Sequence, residues 1–83
     1  MFRFVLTVQA QKEIKRISTE HQKAIRLALL DLKENPLVGK RLNRELAGRF
    51  SYRVGVYRII YSLNSKDKII TVLTAGHRAR VYK

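Results

Sequence analysis

Cysteine is absent from the 83 residues. That excludes disulfide staples, thiolate metal sites and cysteine nucleophiles, and it fits a reducing compartment. No apolar run reaches membrane-spanning length, and the opening MFRFVLTV is too short for a secretory core and has no basic lead. Repeats and low-complexity stretches are missing as well. The expectation is a soluble, cytoplasmic chain with no membrane role, folded as one domain over residues 1–83. A chain of this length buries only about 60% of its unfolded surface, so it has one modest core. Acid is scarce too: 6 Asp+Glu stand against 18 Lys+Arg, a formal charge of +12.

The distribution of this charge says more than its total. Over residues 9–35 the acids Glu13, Glu20, Asp31 and Glu34 nearly balance the bases. Over residues 36–61, Lys40, Arg41, Arg44, Arg49, Arg53 and Arg58 face Glu45 alone, and residues 76–83 add Arg78, Arg80 and Lys83 without any acid. Such self-repulsion costs stability, so a polyanion is the natural partner. The preference for arginine over lysine in this half favours bidentate phosphate contact. The competing reading is that the charge only keeps a small domain in solution.

Hydrophobic spacing supplies the elements. Phe2, Phe4 and Leu6 alternate with Arg3 and Val5, which predicts a first strand. Thr7 is positioned to cap a short helix running to about Ile17. Ser18 or Thr19 caps a longer one, with Thr19 and Gln22 matching a capping box. Ile25, Ala28, Leu29 and Leu32 form its apolar stripe, and Asn35-Pro36 ends it. Residues 36–48 read as loop, with a helical turn at LNREL. Three strands follow: FSYRV, YRIIYS and, after a turn at Asn64-Ser65-Lys66-Asp67, IITVLTA. The expected fold is α+β in two layers: an N-terminal strand and helical hairpin packed on an antiparallel β-meander, in the order β-α-α-β-β-β.

Gly55-Val56 predicts a two-residue hairpin loop, since glycine tolerates the positive φ required at its first position. Arg53 then lies directly across from Arg58, a like-charge pair that destabilises a sheet unless something compensates it. Closing the next hairpin at Leu63 and Lys68 puts Arg58 opposite Leu73 and Tyr57 opposite Thr74. On that register Gly76-His77-Arg78 emerges beside the first hairpin, and Tyr82 follows within reach.

Three arginines around one point hold a phosphate or stabilise the extra charge of a pentacoordinate transition state. RNA carries its own nucleophile, the 2′-OH, so cleavage then needs in-line placement, a base and an acid, and no metal or other cofactor. His21 and His77 lack partners at ligand spacing, and the carboxylates are scattered. Tyr82 is the candidate base, because guanidinium charges favour a phenolate; the alternative is a ring packed on the rim of the core. His77 is a candidate acid or a structural histidine. Tyr52, Tyr57 and Tyr61 are in phase with apolar residues and read as packing. Residue chemistry alone thus reaches a basic α+β domain that binds nucleic acid or another polyanion, with metal-free ribonuclease activity open.

The stretches R-V-G-x-Y-R-I-I-Y at 53–61 and G-H-R-x-x-V-Y at 76–82, in this order, resemble the RelE/ParE superfamily of bacterial and archaeal toxins. The likeness extends over the helical hairpin and NPLVGKRLNRELAG. It implies a RelE-like toxin that cuts mRNA in the ribosomal decoding site. In this resemblance Arg58 matches the arginine that stabilises the scissile phosphate, Arg78 the proposed acid or leaving-group stabiliser, and Tyr82 the proposed general base. Arg53 matches a phosphate-binding strand position, and Arg49, Lys40, Arg41, Arg80 and His77 are the further RNA-binding candidates. The family's ribonucleases carry a second basic residue two places before Arg53, where this chain has Ser51; Arg49 or Lys40 is left to supply that charge. The implied partners are an acidic RelB-like antitoxin that wraps the toxin, the ribosome with its mRNA, and DNA only indirectly through the antitoxin. Two other readings belong to the same fold: a ParE-like inhibitor of DNA gyrase, and a weakened toxin that mainly binds its antitoxin.

Overall fold

A computed structural model describes residues 2–42 and 48–77. The first strand, β1 (Arg3–Leu6), leads through Thr7 into α1 (Val8–Lys15), and α2 (Thr19–Glu34) follows. Thr7 caps α1 as its sequence suggests: its hydroxyl accepts from the Ala10 N–H at 3.1 Å and donates to the Leu73 carbonyl at 3.0 Å. The cap of α2 is Ser18, and the Thr19–Gln22 capping box does not form. Gln22 Nε2 instead donates to the Ile17 carbonyl at 2.7 Å, and the Ser18 hydroxyl bonds His21 Nδ1 at 2.7 Å. With Ser18 as cap, His21 is the third helical residue, the position from which a capping side chain reaches back.

Residues 36–48, expected as loop, contain a two-residue strand, β2 (Lys40–Arg41). Then come β3 (Arg49–Val54), β4 (Tyr57–Asn64) and β5 (Ile69–His77), forming one sheet of order β1-β5-β4-β3-β2. The meander is antiparallel as expected, but β1 runs parallel to β5, Phe4 beside Ile70 and Leu6 beside Val72, so the sheet is mixed. The helical crossover between β1 and the meander makes parallel pairing possible.

Both helices cover one face. Ile25, Ala28, Leu29 and Leu32, the predicted stripe, are all buried against Phe50, Ile59, Tyr61, Ile70 and Val72. Tyr61 is fully buried; its hydroxyl donates to the Pro36 carbonyl at 2.7 Å and accepts from the Gly39 N–H at 3.1 Å. Burial raises its pKa above the ordinary 10.0, the Gly39 bond opposes that rise, and Tyr52 adds to it. The segment after α2 is thereby tied to the sheet. A Cβ on Gly39 would run into the Tyr61 hydroxyl, so glycine is required there.

The second hairpin departs from the expected register. It closes at Asn64 and Ile69, with Lys68 at φ 55 and the Asp67 N–H donating to Asn64 Oδ1 at 3.0 Å. A further shift falls between Ile60 and Tyr61, which pair with Thr74 and Val72 and leave Leu73 as the extra residue. Arg58 therefore lies opposite Gly76 rather than Leu73, and Tyr57 opposite His77 rather than Thr74. Glu13 of α1 closes over this bulge, accepting from the Thr74 hydroxyl at 2.6 Å and from the Ala75 N–H at 3.3 Å. The Ala75 N–H, on a stretch of β5 beyond the end of β1, is thus satisfied by a carboxylate.

Candidate functional site: a cationic sheet face

Alternation along β3 and β4 sends Phe50, Tyr52 and Val54, with Tyr57, Ile59 and Tyr61, toward the helices. The intervening residues go to the other face. There Arg53 pairs with Arg58, Ser51 with Ile60 and Arg49 with Ser62. Gly55 has φ 61, so the hairpin turns as its sequence suggests and the like-charge pair is real. Across β3 on the other side, Lys40 stands opposite Ser51, on this same face. Lys40, Arg49, Arg53 and Arg58 thus share one surface, and its floor includes the small residues Ser51, Ser62, Thr74 and Gly76.

The two opposed arginines differ in setting. Arg53 is exposed, whereas Arg58 is half-buried and its Nη1 donates to the Ser51 hydroxyl at 3.1 Å. Ser51 is 3% exposed. Arg41 goes elsewhere: it pairs with Phe50 and its guanidinium stands 5.8 Å from that ring's centre, on the helix side. His77 is also on the helix side, edge-on to Tyr57 at 6.1 Å, and His21 approaches Tyr57 at 5.1 Å. Of the expected end-of-sheet neighbourhood, the described residues include Arg53, Arg58, Gly76 and His77. Gly76 lies beside Arg58, and His77, the last described residue, lies opposite Tyr57 in the Arg53–Arg58 hairpin. Arg78, Arg80 and Tyr82 lie outside the described residues, as do Arg44 and most of LNREL.

Sequence reasoning missed Ser51 as a partner of Arg58 and treated it only as a departure from a basic pattern. A signal was available: Ser51 is a small polar residue between two aromatic ones, diagonal to Arg58 once Arg53 and Arg58 are paired. Among the described residues no three His, Asp or Glu side chains gather as metal ligands do. A cluster of guanidinium groups on a sheet can bind phosphate oxygens bidentately and stabilise charge that develops on them.

Comparison with known proteins identifies the family and the fold. Residues 4–82 match the family model described as ParE toxin of type II toxin-antitoxin system, parDE. Toxin RelG of Mycobacterium tuberculosis is 37% identical over 79 residues, which cover 93% of this chain and 91% of that one. The toxin–antitoxin complex RelBE2 of the same organism contains a chain that superposes with a TM-score of 0.86 at 34% identity, over 93% of this chain and 98% of the other. An archaeal RelE–RelB complex from Pyrococcus horikoshii OT3 gives a TM-score of 0.77 at 25% identity, over 96% and 98%. By sequence and by fold, this chain belongs to the RelE/ParE superfamily, the toxins of type II toxin–antitoxin systems.

Proposed function

We propose that the protein is a ribosome-dependent, metal-independent endoribonuclease that cuts mRNA and so inhibits translation. The observation that carries this reading is the Arg53–Arg58 pair on a sheet face shared with Lys40 and Arg49. Opposed guanidinium groups are unfavourable in an isolated sheet and favourable around a phosphate. In the proposed reaction the 2′-oxygen of one nucleotide attacks the adjacent phosphorus and gives its proton to the Tyr82 phenolate. Arg58 and Arg53 stabilise the extra negative charge on the non-bridging oxygens. The bond from phosphorus to the 5′-oxygen breaks, and that oxygen leaves as a hydroxyl, with Arg78 as the proton donor or stabiliser of its charge. The products are a 2′,3′-cyclic phosphate and a 5′-hydroxyl end. Lys40 and Arg49 hold neighbouring phosphates, with Arg80 and Arg41 at the margins. Ribosomal RNA and messenger supply the polyanion that a chain of charge +12 requires.

The same reading gives the chain a cognate, acidic antitoxin as partner, as in the toxin–antitoxin complexes it resembles, and a cytoplasmic site of action. The antitoxin's segment is disordered when free and folds as it wraps the toxin; DNA contact runs through the antitoxin. The test is primer extension on mRNA in a purified translation system, with and without ribosomes. Cuts only with ribosomes, lost in Tyr82→Phe and Arg78→Ala, are the expected result. The family model's ParE description favours a second reading, inhibition of DNA gyrase. Absence of cuts together with inhibited supercoiling would move the assignment there.

A further inference from the structure

Ser51 stands two residues before Arg53 on β3 and directly opposite Ile60 on β4. Arg58 is two residues before Ile60, on the same face, so Ser51 and Arg58 are diagonal neighbours, a separation that only a long side chain spans. The 3.1 Å bond from Arg58 Nη1 to the Ser51 hydroxyl spans it. This bond leads the Arg58 side chain back along the sheet, away from Arg53 across the strand and toward the row where Lys40 faces Ser51. We propose that Ser51 is a positioning residue for Arg58: its buried hydroxyl fixes the guanidinium direction on the cationic face and adds no charge of its own. This rests on the reading of that face as an RNA-cleaving site.

The residue type follows from the task. Arginine carries its charge on a flexible stem, and a site that stabilises developing charge must hold its groups to within about 0.5 Å. A carboxylate at position 51 would hold Arg58 and cancel its charge; a lysine or arginine, the type the family's ribonucleases carry there, would bring a charge of its own but no acceptor for Arg58. A serine hydroxyl accepts the bond, adds no charge and fits the 3% exposure of the position. The acceptor lies on a central strand rather than a loop, paired on both sides by Lys40 and Ile60.

The test uses the full chain in single-turnover cleavage of ribosome-bound mRNA, comparing wild type with Ser51→Ala, Ser51→Cys and Ser51→Thr. Ser51→Ala is expected to lower the maximal rate about tenfold, the size of one lost hydrogen bond to a charged group. The ribosome concentration for half-maximal rate stays unchanged. Ser51→Cys gives the same loss if the alanine variant folds poorly, and Ser51→Thr restores the rate. In parallel, nitrogen-resolved NMR reads the Arg58 guanidinium, whose Nη1 protons are expected as slowly exchanging signals that average out in Ser51→Ala. Equal rates in wild type and Ser51→Ala, or an unchanged Arg58 spectrum, would overturn the inference. A wild type that cuts nothing would instead overturn the ribonuclease reading and the catalytic sense of the positioning, and the spectrum would still report whether Ser51 holds Arg58.

Discussion

Residues 58 and 59 are neighbours in the chain and opposites in the fold. Ile59 is fully buried against the helices, part of a cluster with Tyr61, Val72, Leu29 and Leu32. Arg58 points to the other face, beside Arg53 and over Ser51. The helix side of the sheet is chosen for burial: aromatic and branched residues with their polar tips satisfied, as Tyr61 is by Pro36 and Gly39. The far side gathers like charges that burial cannot explain. The helix-side core and the cationic residues are thus sorted onto alternate residues of the same two strands, with Ile60 and Ser51 the buried residues of the far face. Substitutions one position apart should separate them cleanly.

The largest expected effect is on the helix side. Ile59→Ala removes three carbons from a fully buried side chain, and such changes cost about 2–5 kcal/mol. A domain whose total stability is about 5–15 kcal/mol cannot lose that unnoticed. Urea unfolding should show a strongly lowered midpoint, while the fraction still folded keeps its affinity for RNA. A variant that lost affinity at full stability would undo the separation of faces.

Arg58→Ala is the mirror experiment. Urea midpoints should fall far less than in Ile59→Ala, because the half-buried side chain lies outside the helix-side core. Cleavage on the ribosome should fall about 100- to 1,000-fold, the range found when one preorganised group facing developing charge is removed. Normal cleavage by a folded Arg58→Ala protein would remove Arg58 from the chemistry.

Tyr61 sharpens the comparison because it is a polar group on the apolar side. Tyr61→Phe leaves the Pro36 carbonyl and the Gly39 N–H without that hydroxyl, at a cost of about 1–3 kcal/mol. Its raised pKa sets the pH dependence. Below the unfolded value of about 10 both states keep the proton and Tyr61 adds no pH dependence. Above it the unfolded chain releases its proton first, so the tyrosine's contribution declines as pH rises through the folded pKa. Wild type should therefore lose more stability than Tyr61→Phe as pH rises above about 10. Parallel loss in both proteins would mean that Tyr61 does not govern the alkaline limb.

What the sequence disclosed, and what it withheld, divides along local and non-local lines. The Thr7 cap, the stripe at Ile25, Ala28, Leu29 and Leu32, and the Arg53–Arg58 pairing depend on residues a few positions apart, and all appear in the fold. The second hairpin did not yield to the same reasoning. Lys68 adopts the positive φ usually left to glycine, and a bulge at Leu73 adds another step, so counting back from the turn gave the wrong partners. The residues after the bulge are bonded by Glu13, which reaches them from α1 across a long stretch of chain. The parallel pairing of β1 with β5 and the two-residue β2 are likewise set by tertiary contacts rather than by local pattern. At the site, Lys40 could be suspected from charge alone, but its position opposite Ser51 exists only because β2 forms.

The smallest effect tests the like-charge pair itself. Arg53→Thr replaces an exposed arginine by a good strand former and relieves the repulsion of Arg58. Tm should rise by at most about 4 °C, more at low salt than at high. Binding of a single-stranded oligonucleotide should weaken, with the slope of log affinity against log salt falling by roughly 0.7, the value for one lost phosphate contact. The two readings together decide why the pair exists: a gain in stability bought with a loss in affinity means that the fold tolerates Arg53 for the sake of its ligand. The size of the gain carries further information. Because Arg58 leans toward Ser51, part of the repulsion is already relieved, and the rise in Tm should be larger when Arg53→Thr is made in a Ser51→Ala background. Equal gains in both backgrounds would show that the serine does not govern where the Arg58 charge sits.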